Sequence, residues 1–333
     1  MRIALVRGRA PSPSHRLAES RIRVGVVGLG SFGSHHARHY AANPAAILTA
    51  VADADAGRAA AAAAKYGAAS FADYRDLIGT VDAVSVAAPA IHHHAIAAAL
   101  VDAGIHVLVE KPLAVTASEA RDVVQRAART GAIVAAGHVE RFSPITAALR
   151  AGVSRPRRIA CIRRTMWSGR SADVDVVLDL MIHDIDLLLT LAKSPVASVA
   201  ASGVIAQSGL TDEAEAWLTF ADGMVATLSA SRIADENERK ISVTEPDTAW
   251  TADLSAPSLS SASRSQWGAE ASALALSPHD NLGAEIADFL DAVATGTAPE
   301  VDGAAGVAAV EMANRIQAAI ADADVPAKRE ASR

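Results

Sequence analysis

The sequence predicts an α/β protein: an N-terminal doubly wound parallel sheet, then an α+β domain with an open, mostly antiparallel sheet. Three observations predict it. Between residues 24 and 137 short apolar strands alternate with helical stretches, the order that builds a parallel sheet. A glycine-rich turn joins the first strand to the first helix. Beyond residue 138 the apolar period drops to two, as in strands buried on one face. The chain has 333 residues, enough for two domains of ordinary size. The expected division is 21–138 and 139–325.

Residues 1–20, "MRIALVRGRAPSPSHRLAES", contain only four consecutive apolar residues, Ile3 to Val6. That is too short for a signal-peptide core, so a disordered extension is expected. Val24 to Val27 form the first strand, and Gly28, Gly30 and Gly33 follow as G-x-G-x-x-G, with Ser31 and Phe32 opening the helix. The first glycine permits a tight turn, the second lets the backbone approach a pyrophosphate, and the third lets helix and strand pack closely. The helix N-terminus then receives the anion. Strand before and helix after make this otherwise common motif a Rossmann dinucleotide site.

The second strand, "ILTAVAD", ends at Asp53. An acid there takes the ribose 2′-OH of NAD and repels a 2′-phosphate; Arg58 leaves NADP as the alternative. Asp55 is the expected cap of the next helix. "DAVSVAA" (82–88) ends at Ala88 and is broken by Pro89; a helix follows over 93–103. "HVLV" (106–109), a helix over 117–130 and "AIVAAG" (132–137) complete the alternation. "HHH" at 92–94 is not expected to bind metal, because consecutive helical residues point about 100° apart. His35, His36 and His39 read as helix packing and surface.

"HVLVEKPLA" places Glu110, Lys111 and Pro112 directly after a strand, at the carboxyl end where such sheets bind ligands. Pro112 restricts the backbone beside Lys111. A partly desolvated lysine there can serve as a general base. "VVLDLMIHDIDLLL" (176–189) is an apolar helix carrying Asp179, His183, Asp184 and Asp186. On a straight helix Asp179, His183 and Asp186 share one stripe and Asp184 points elsewhere. Carboxylates are rarely buried unpaired, so the stripe faces either a salt-bridged contact or a reactive cavity.

In the second half, 158–166, 197–206, 213–221, 223–233 and 239–246 read as strands, with "ADG" (221–223) as a hairpin turn. Residues 254–280 are Ser- and Ala-rich without clear period, and read as a long loop or lid. Trp167 and Trp267 are candidates to stack on a base; Arg141, and Arg163 or Arg164, are candidates for phosphate.

The composition excludes some classes. A formal charge of -6 argues against nucleic acid, which needs a basic face. No apolar run is long enough to span a membrane. One cysteine, Cys161, allows no internal disulfide, which suits a reducing cytoplasm.

The glycine motif at 28–33, Asp53, the "AAP" turn with His93, "EKPLA" at 110–114 and the helical stretch 280–316 together resemble the Gfo/Idh/MocA oxidoreductase family. The resemblance covers nearly all of 21–322. It implies NAD-dependent oxidation of an alcohol, with Ala88, Pro89, His93 and Glu110 beside the cofactor. It implies that Lys111, Asp179 and His183 serve the reacting hydroxyl and that the open sheet face forms a homodimer or homotetramer. Lys111 is the expected principal base and His183 its partner; the reverse assignment is open. "VDVV" (174–177) departs from relatives that carry glycines there. "GHVERFSP" (137–144) and "DVVLDLMIHDIDLLL" are similar to the family's UDP-N-acetylglucosamine 3-dehydrogenases. That likeness implies a UDP-sugar substrate touching Arg141 and Trp167, and a 3-ketone passed to an aminotransferase, often for lipid A. The alternatives are a family dehydrogenase of a free sugar, polyol or inositol, and a non-enzymatic dinucleotide sensor. A sensor should lack the trio, and all three residues are present.

Overall fold

The computed structural model describes residues 21–169, 173–263, 272–274 (backbone) and 279–323. The expected extension at 1–20 and Trp267 lie outside the described residues. The first unit runs β1 (Ile22–Val27), α1 (Ser31–Ala42), β2 (Ala46–Ala52), α2 (Ala56–Tyr66), β3 (Ala69–Phe71), β4 (Ala83–Val86), α3 (His93–Asp102), β5 (His106–Glu110), α4 (Ala117–Thr130), β6 (Val134–Gly137). Its strands are all parallel, in the order β3-β2-β1-β4-β5-β6. Both faces are covered, so β4 and β6 are buried along their whole length, as all-parallel sheets require. The order reverses between β1 and β4, and ligands bind outside the strand ends at such a switch point.

Local signals set the helix ends. Asp55 caps α2 by accepting from the Gly57 and Arg58 amides, and Thr116 and Glu119 form a capping box on α4. Gly67 and Gly131 close those helices in the left-handed conformation.

The second unit runs α5 (Pro144–Gly152), β7 (Arg158–Arg164), α6 (Ile182–Leu191), β8 (Val196–Ile205), β9 (Thr211–Phe220), β10 (Val225–Ser231), β11 (Glu238–Thr244), β12 (Thr248–Asp253), β13 (Ser258–Ser263), β14 (Ser272–Leu274), α7 (Asn281–Thr295), α8 (Gly303–Ala323). The eight strands are ordered β14-β13-β12-β11-β7-β10-β9-β8. Only β7 and β10 pair in parallel. Along β9 the side chains alternate, with Ala214, Ala216, Leu218 and Phe220 buried and Glu213, Glu215 and Trp217 exposed. The long loop expected over 254–280 is corrected: β13 and β14 extend the sheet at its edge. Ser and Ala hide the alternation there, because neither is strongly apolar nor polar. Past residue 280 the chain returns to the first unit. Ile286, Phe289, Leu290 and Val293 of α7 join Val24, Val26 and Tyr40 in one apolar cluster.

Candidate active site

The dinucleotide loop fits its ligand for reasons visible in the backbone. Gly28 has φ of 85°, and a Cβ there would lie 2.6 Å from the Ala88 nitrogen. A Cβ on Gly33 would sit 1.7 Å from the Gly28 carbonyl oxygen, whereas a Cβ on Gly30 would meet nothing within 4 Å. So Gly28 and Gly33 are forced by packing, and Gly30 opens the space a pyrophosphate needs. Gly30 also provides no side-chain cap to α1, which leaves the first-turn amides beside Ser31 and Phe32 for an anion.

Asp53 ends β2, is 7% exposed, and accepts from the Leu29 amide (2.6 Å), the Asp55 amide (2.8 Å) and the Arg58 guanidinium (3.0 Å). Burial alone would raise its carboxyl; these hydrogen bonds outweigh it and hold the carboxyl below the usual range. A charged acid at the ribose position suits NAD.

A cavity of about 620 Å³ opens between the strand ends of the first sheet and the second unit. From the first unit it is lined by Phe32, Ala88, Pro89, His93, Glu110 and Lys111; from the second by Arg163, Trp167, Asp179, His183, Arg232 and Arg239. Gly28, Gly30, Ser31, Gly33 and Asp53 lie outside this lining, along the dinucleotide loop. The ring nitrogens of His93 lie 2.7 Å from the Pro112 carbonyl and 2.8 Å from the Ala88 carbonyl, and the neutral ring donates to one of these two acceptors. It therefore ties the turn after β4 to the loop after β5.

Lys111 donates to the Asp179 backbone carbonyl (2.5 Å) and to its carboxylate (3.1 Å). Two acceptors, one of them anionic, are what an ammonium group seeks. His183 lines the same cavity. Its Nδ1 is buried with no hydrogen-bond partner among the described residues. Burial, then the cations Lys111 and Arg163, push its imidazole well below the ordinary value, with smaller contributions from His138 and Arg239. His183 is thus neutral at neutral pH.

The stripe expected on a straight helix is corrected in one member. Val177–Met181 form a π-turn leading into α6, which shifts the phase between Asp179 and later residues. Asp179 and His183 still face the cavity, while Asp186 turns away. Its carboxylate holds Arg141 at 2.6 and 2.8 Å. Arg141, expected at the substrate, is thereby committed to a buried ion pair outside the lining. Asp184 points to the sheet and binds Arg163 at 2.8 and 3.1 Å; Glu140 binds the other side of that guanidinium at 3.1 Å. Of the two phosphate candidates in β7, Arg163 lines the cavity and Arg164 does not.

Three residues were not singled out by their sequence context. His36 is fully buried, with Nδ1 3.0 Å from Ser85 Oγ and Nε2 2.8 Å from Glu110 Oε1. Tyr40 continues the chain to Ser85 at 2.7 Å. Glu110 Oε2 accepts from the Lys111 amide at 3.3 Å, and its carboxylate covers Gly137, where a Cβ would lie 3.1 Å from it. Burial would raise Glu110, but the hydrogen bond and charge of His36 and the charge of Lys111 hold it low. Arg232 is the second. It donates to Asp212 (2.9 Å), the Val174 carbonyl (2.9 Å) and Ser208 (2.9 Å), lies 3.9 Å from Asp179 Oδ2, and stacks on Trp167 at 5.6 Å. Arg239 is the third. Nothing in the sequence pointed to His36 beyond helix packing or surface; Arg232 directly follows β10 and Arg239 lies on β11, both distant in sequence from the trio.

A Rossmann sheet whose strand ends carry a lysine, facing an Asp–His pair across a cavity, defines a dinucleotide-dependent oxidoreductase acting on an alcohol. Residues 22–138 match the Gfo/Idh/MocA oxidoreductase family, NAD-binding Rossmann fold, and residues 143–245 match the Gfo/Idh/MocA C-terminal domain. The chain belongs to the Gfo/Idh/MocA oxidoreductase family; it is a dehydrogenase of CH–OH groups and its cofactor is NAD. It is 36% identical to a UDP-N-acetylglucosamine 3-dehydrogenase of Acidithiobacillus ferrooxidans, over 90% of this chain and 97% of that protein. The solved structure of that enzyme superposes with a TM-score of 0.84, covering 90% of this chain and 98% of its own. An inositol 2-dehydrogenase of Saccharopolyspora erythraea is 38% identical, over 54% of this chain and 56% of its own.

Proposed function

We propose that the enzyme oxidises the 3-hydroxyl of UDP-N-acetylglucosamine to a ketone, which an aminotransferase then consumes. The similarity to a UDP-N-acetylglucosamine 3-dehydrogenase runs through both domains at near full length, whereas the likenesses to inositol dehydrogenases cover 50% to 64% of the chain. For the chemistry, the carrying observation is the division of labour within the trio. Lys111 already donates to a carboxylate and a carbonyl, while His183 lines the same cavity and is held neutral.

Bound NAD supplies the hydride acceptor. As the C–H hydride leaves the carbinol carbon, the hydroxyl proton must leave its oxygen. His183 takes that proton. Lys111 directs its remaining N–H at the oxygen, where negative charge builds, and so stabilises the transition state. Asp179 fixes Lys111 by two contacts, and Glu110 anchors the Lys111 backbone. These roles are the reverse of the assignment with Lys111 as principal base, and the variants of both residues decide between the two. Gly30 and the first turn of α1 hold the pyrophosphate, and Asp53 the adenosine ribose.

The outward face of the second sheet bears Trp217, Val204, Ile205 and Val225, all more than 40% exposed. A second copy of the chain covering this face is the assembly we propose.

The test of the substrate is direct. NADH absorbance should rise with UDP-N-acetylglucosamine, and rise further when a 3-aminotransferase and glutamate remove the ketone. Turnover of myo-inositol or free glucose with no response to any UDP-sugar would replace this reading with a polyol dehydrogenase.

A further inference from the structure

We infer that Arg239 anchors the diphosphate of the sugar nucleotide, at a cavity mouth shared with Trp167 and Asn237. The inference rests on the sugar-nucleotide reading and adds a binding residue to it.

Among the described residues three arginines line the cavity, and two are already occupied. Arg163 is 2% exposed, and Asp184 and Glu140 take its guanidinium on both sides. Arg232 is 3% exposed and binds Asp212, Ser208 and the Val174 carbonyl. Each serves the wall more than it serves a ligand. Arg239, on β11, differs. Its side chain is 45% exposed, and its nearest carboxylate oxygen, Glu140 Oε1, lies 4.0 Å away. That oxygen already accepts from Arg163 at 3.1 Å. No hydrogen bond of its guanidinium occurs among the described residues. A planar cation with its donors unspent, on the rim of a deep cavity, is built to meet an anion that arrives with the substrate.

Its neighbours specify which anion. Trp167 lies half-buried on the same wall with Arg232 against its ring, which offers a π surface to a base. Asn237 presents an exposed side-chain amide, whose oxygen only weakly accepts from the Met166 amide at 3.4 Å. A cation, a ring and an amide match the diphosphate, base and polar edge of a nucleotide; a free polyol has no group for the first two. The placement also fits the chemistry. Arg239 lines the same cavity as His183, so one substrate can reach both. In a UDP-sugar the first phosphate is attached to the anomeric carbon, two ring positions from the carbon that bears the 3-hydroxyl.

The experiment measures binding of UDP, UMP and uridine by calorimetry to the NAD-saturated enzyme, for the wild type, Arg239→Gln and Arg239→Lys. UDP should bind the wild type more tightly than uridine. Arg239→Gln should weaken UDP by about 10- to 100-fold, the worth of a charge-assisted hydrogen bond, while leaving uridine affinity unchanged. KM for UDP-N-acetylglucosamine should rise by a similar factor, with the loss in KM and not in kcat, and Arg239→Lys should recover part of it. Equal UDP affinity in wild type and Arg239→Gln, in an enzyme that turns over UDP-N-acetylglucosamine, overturns the role of Arg239 and leaves the substrate standing. An enzyme that binds neither UDP nor UMP, and oxidises only unphosphorylated polyols, overturns both.

Discussion

His183→Asn and Lys111→Met separate the base from the charge stabiliser. His183→Asn removes the proton acceptor while keeping a polar side chain of similar size. General base catalysis contributes about 10²- to 10⁴-fold, so kcat should fall by that factor, about 2.7 to 5.4 kcal/mol in activation free energy at 1.36 kcal/mol per tenfold. Lys111→Met removes the donor to the developing oxyanion, which is worth about 10²- to 10³-fold. It also strands Asp179, whose side chain is 12% exposed and whose next cation, Arg232, stands 3.9 Å away. The pH profile distinguishes the roles. Lys111 is the leading cation that holds His183 low. Its removal should let the imidazole rise toward its ordinary value, so the acid limb of kcat/KM should move to higher pH in Lys111→Met. Stopped-flow NADH absorbance from about pH 5 to 9, with NAD affinity measured by fluorescence, reads both effects. Unaltered NAD affinity with the expected losses supports the assignment. Full turnover in His183→Asn, or an acid limb in Lys111→Met that stays in place, would refute it.

Asp53→Ser should narrow the preference for NAD over NADP by releasing Arg58 from its 3.0 Å pair to meet a 2′-phosphate; equal kcat/KM for both cofactors in the wild type would refute the role of Asp53. Asp184→Asn should act on stability, because it uncouples a buried ion pair: about 3 kcal/mol, seen as a drop of several degrees in Tm, whereas Asp179→Asn should cost turnover with little change in Tm. The reverse pattern would sink the geometry of α6. Thermal stability should also fall as pH drops below about 6.5, the unfolded value for histidine. His93, His138 and His183 are all held below it, chiefly by burial, so the native state binds fewer protons than the unfolded chain in that range. A Tm flat from about pH 7 to 5 would contradict this. Glu285 on α7 is buried, both carboxylate oxygens lack partners among the described residues, and burial beside Glu110 pushes it well above the carboxylate range. Glu285→Met should therefore raise stability at about pH 8 by about one to three kcal/mol, the cost of an unsatisfied buried polar group, seen as a higher Tm; a lower Tm would show that Glu285 has a partner in solution.

Much of the architecture was legible in the chain because local rules dictate it. Gly28, Gly30 and Gly33 announce the dinucleotide loop, since backbone geometry admits no other residue at Gly28 or Gly33. Alternation of strands and helices announces the parallel sheet, and Asp53 at the end of β2 the ribose site. Lys111, Asp179 and His183 were legible as a trio only through family likeness. Their spacing alone left a salt-bridged contact as an equal reading. The sequence could not show what each charge is paired with. Asp186 shares a helical face with His183 on an ideal wheel, yet a π-turn and the nearby Arg141 draw it away. His35, His36 and His39 read alike as helix packing and surface, and only the fold shows that His36 is the packed one, bridging Ser85 and Glu110 in the core. Arg163, Arg232 and Arg239 are equivalent as letters. Their differences, two spent on buried carboxylates and one at the rim with its nearest carboxylate 4.0 Å away, arise from partners 20 or more residues away in sequence. Periodicity and backbone sterics act within a few residues, so they are written locally. The pairing of buried charges is settled by which strands and helices meet, and so only the folded chain decides it.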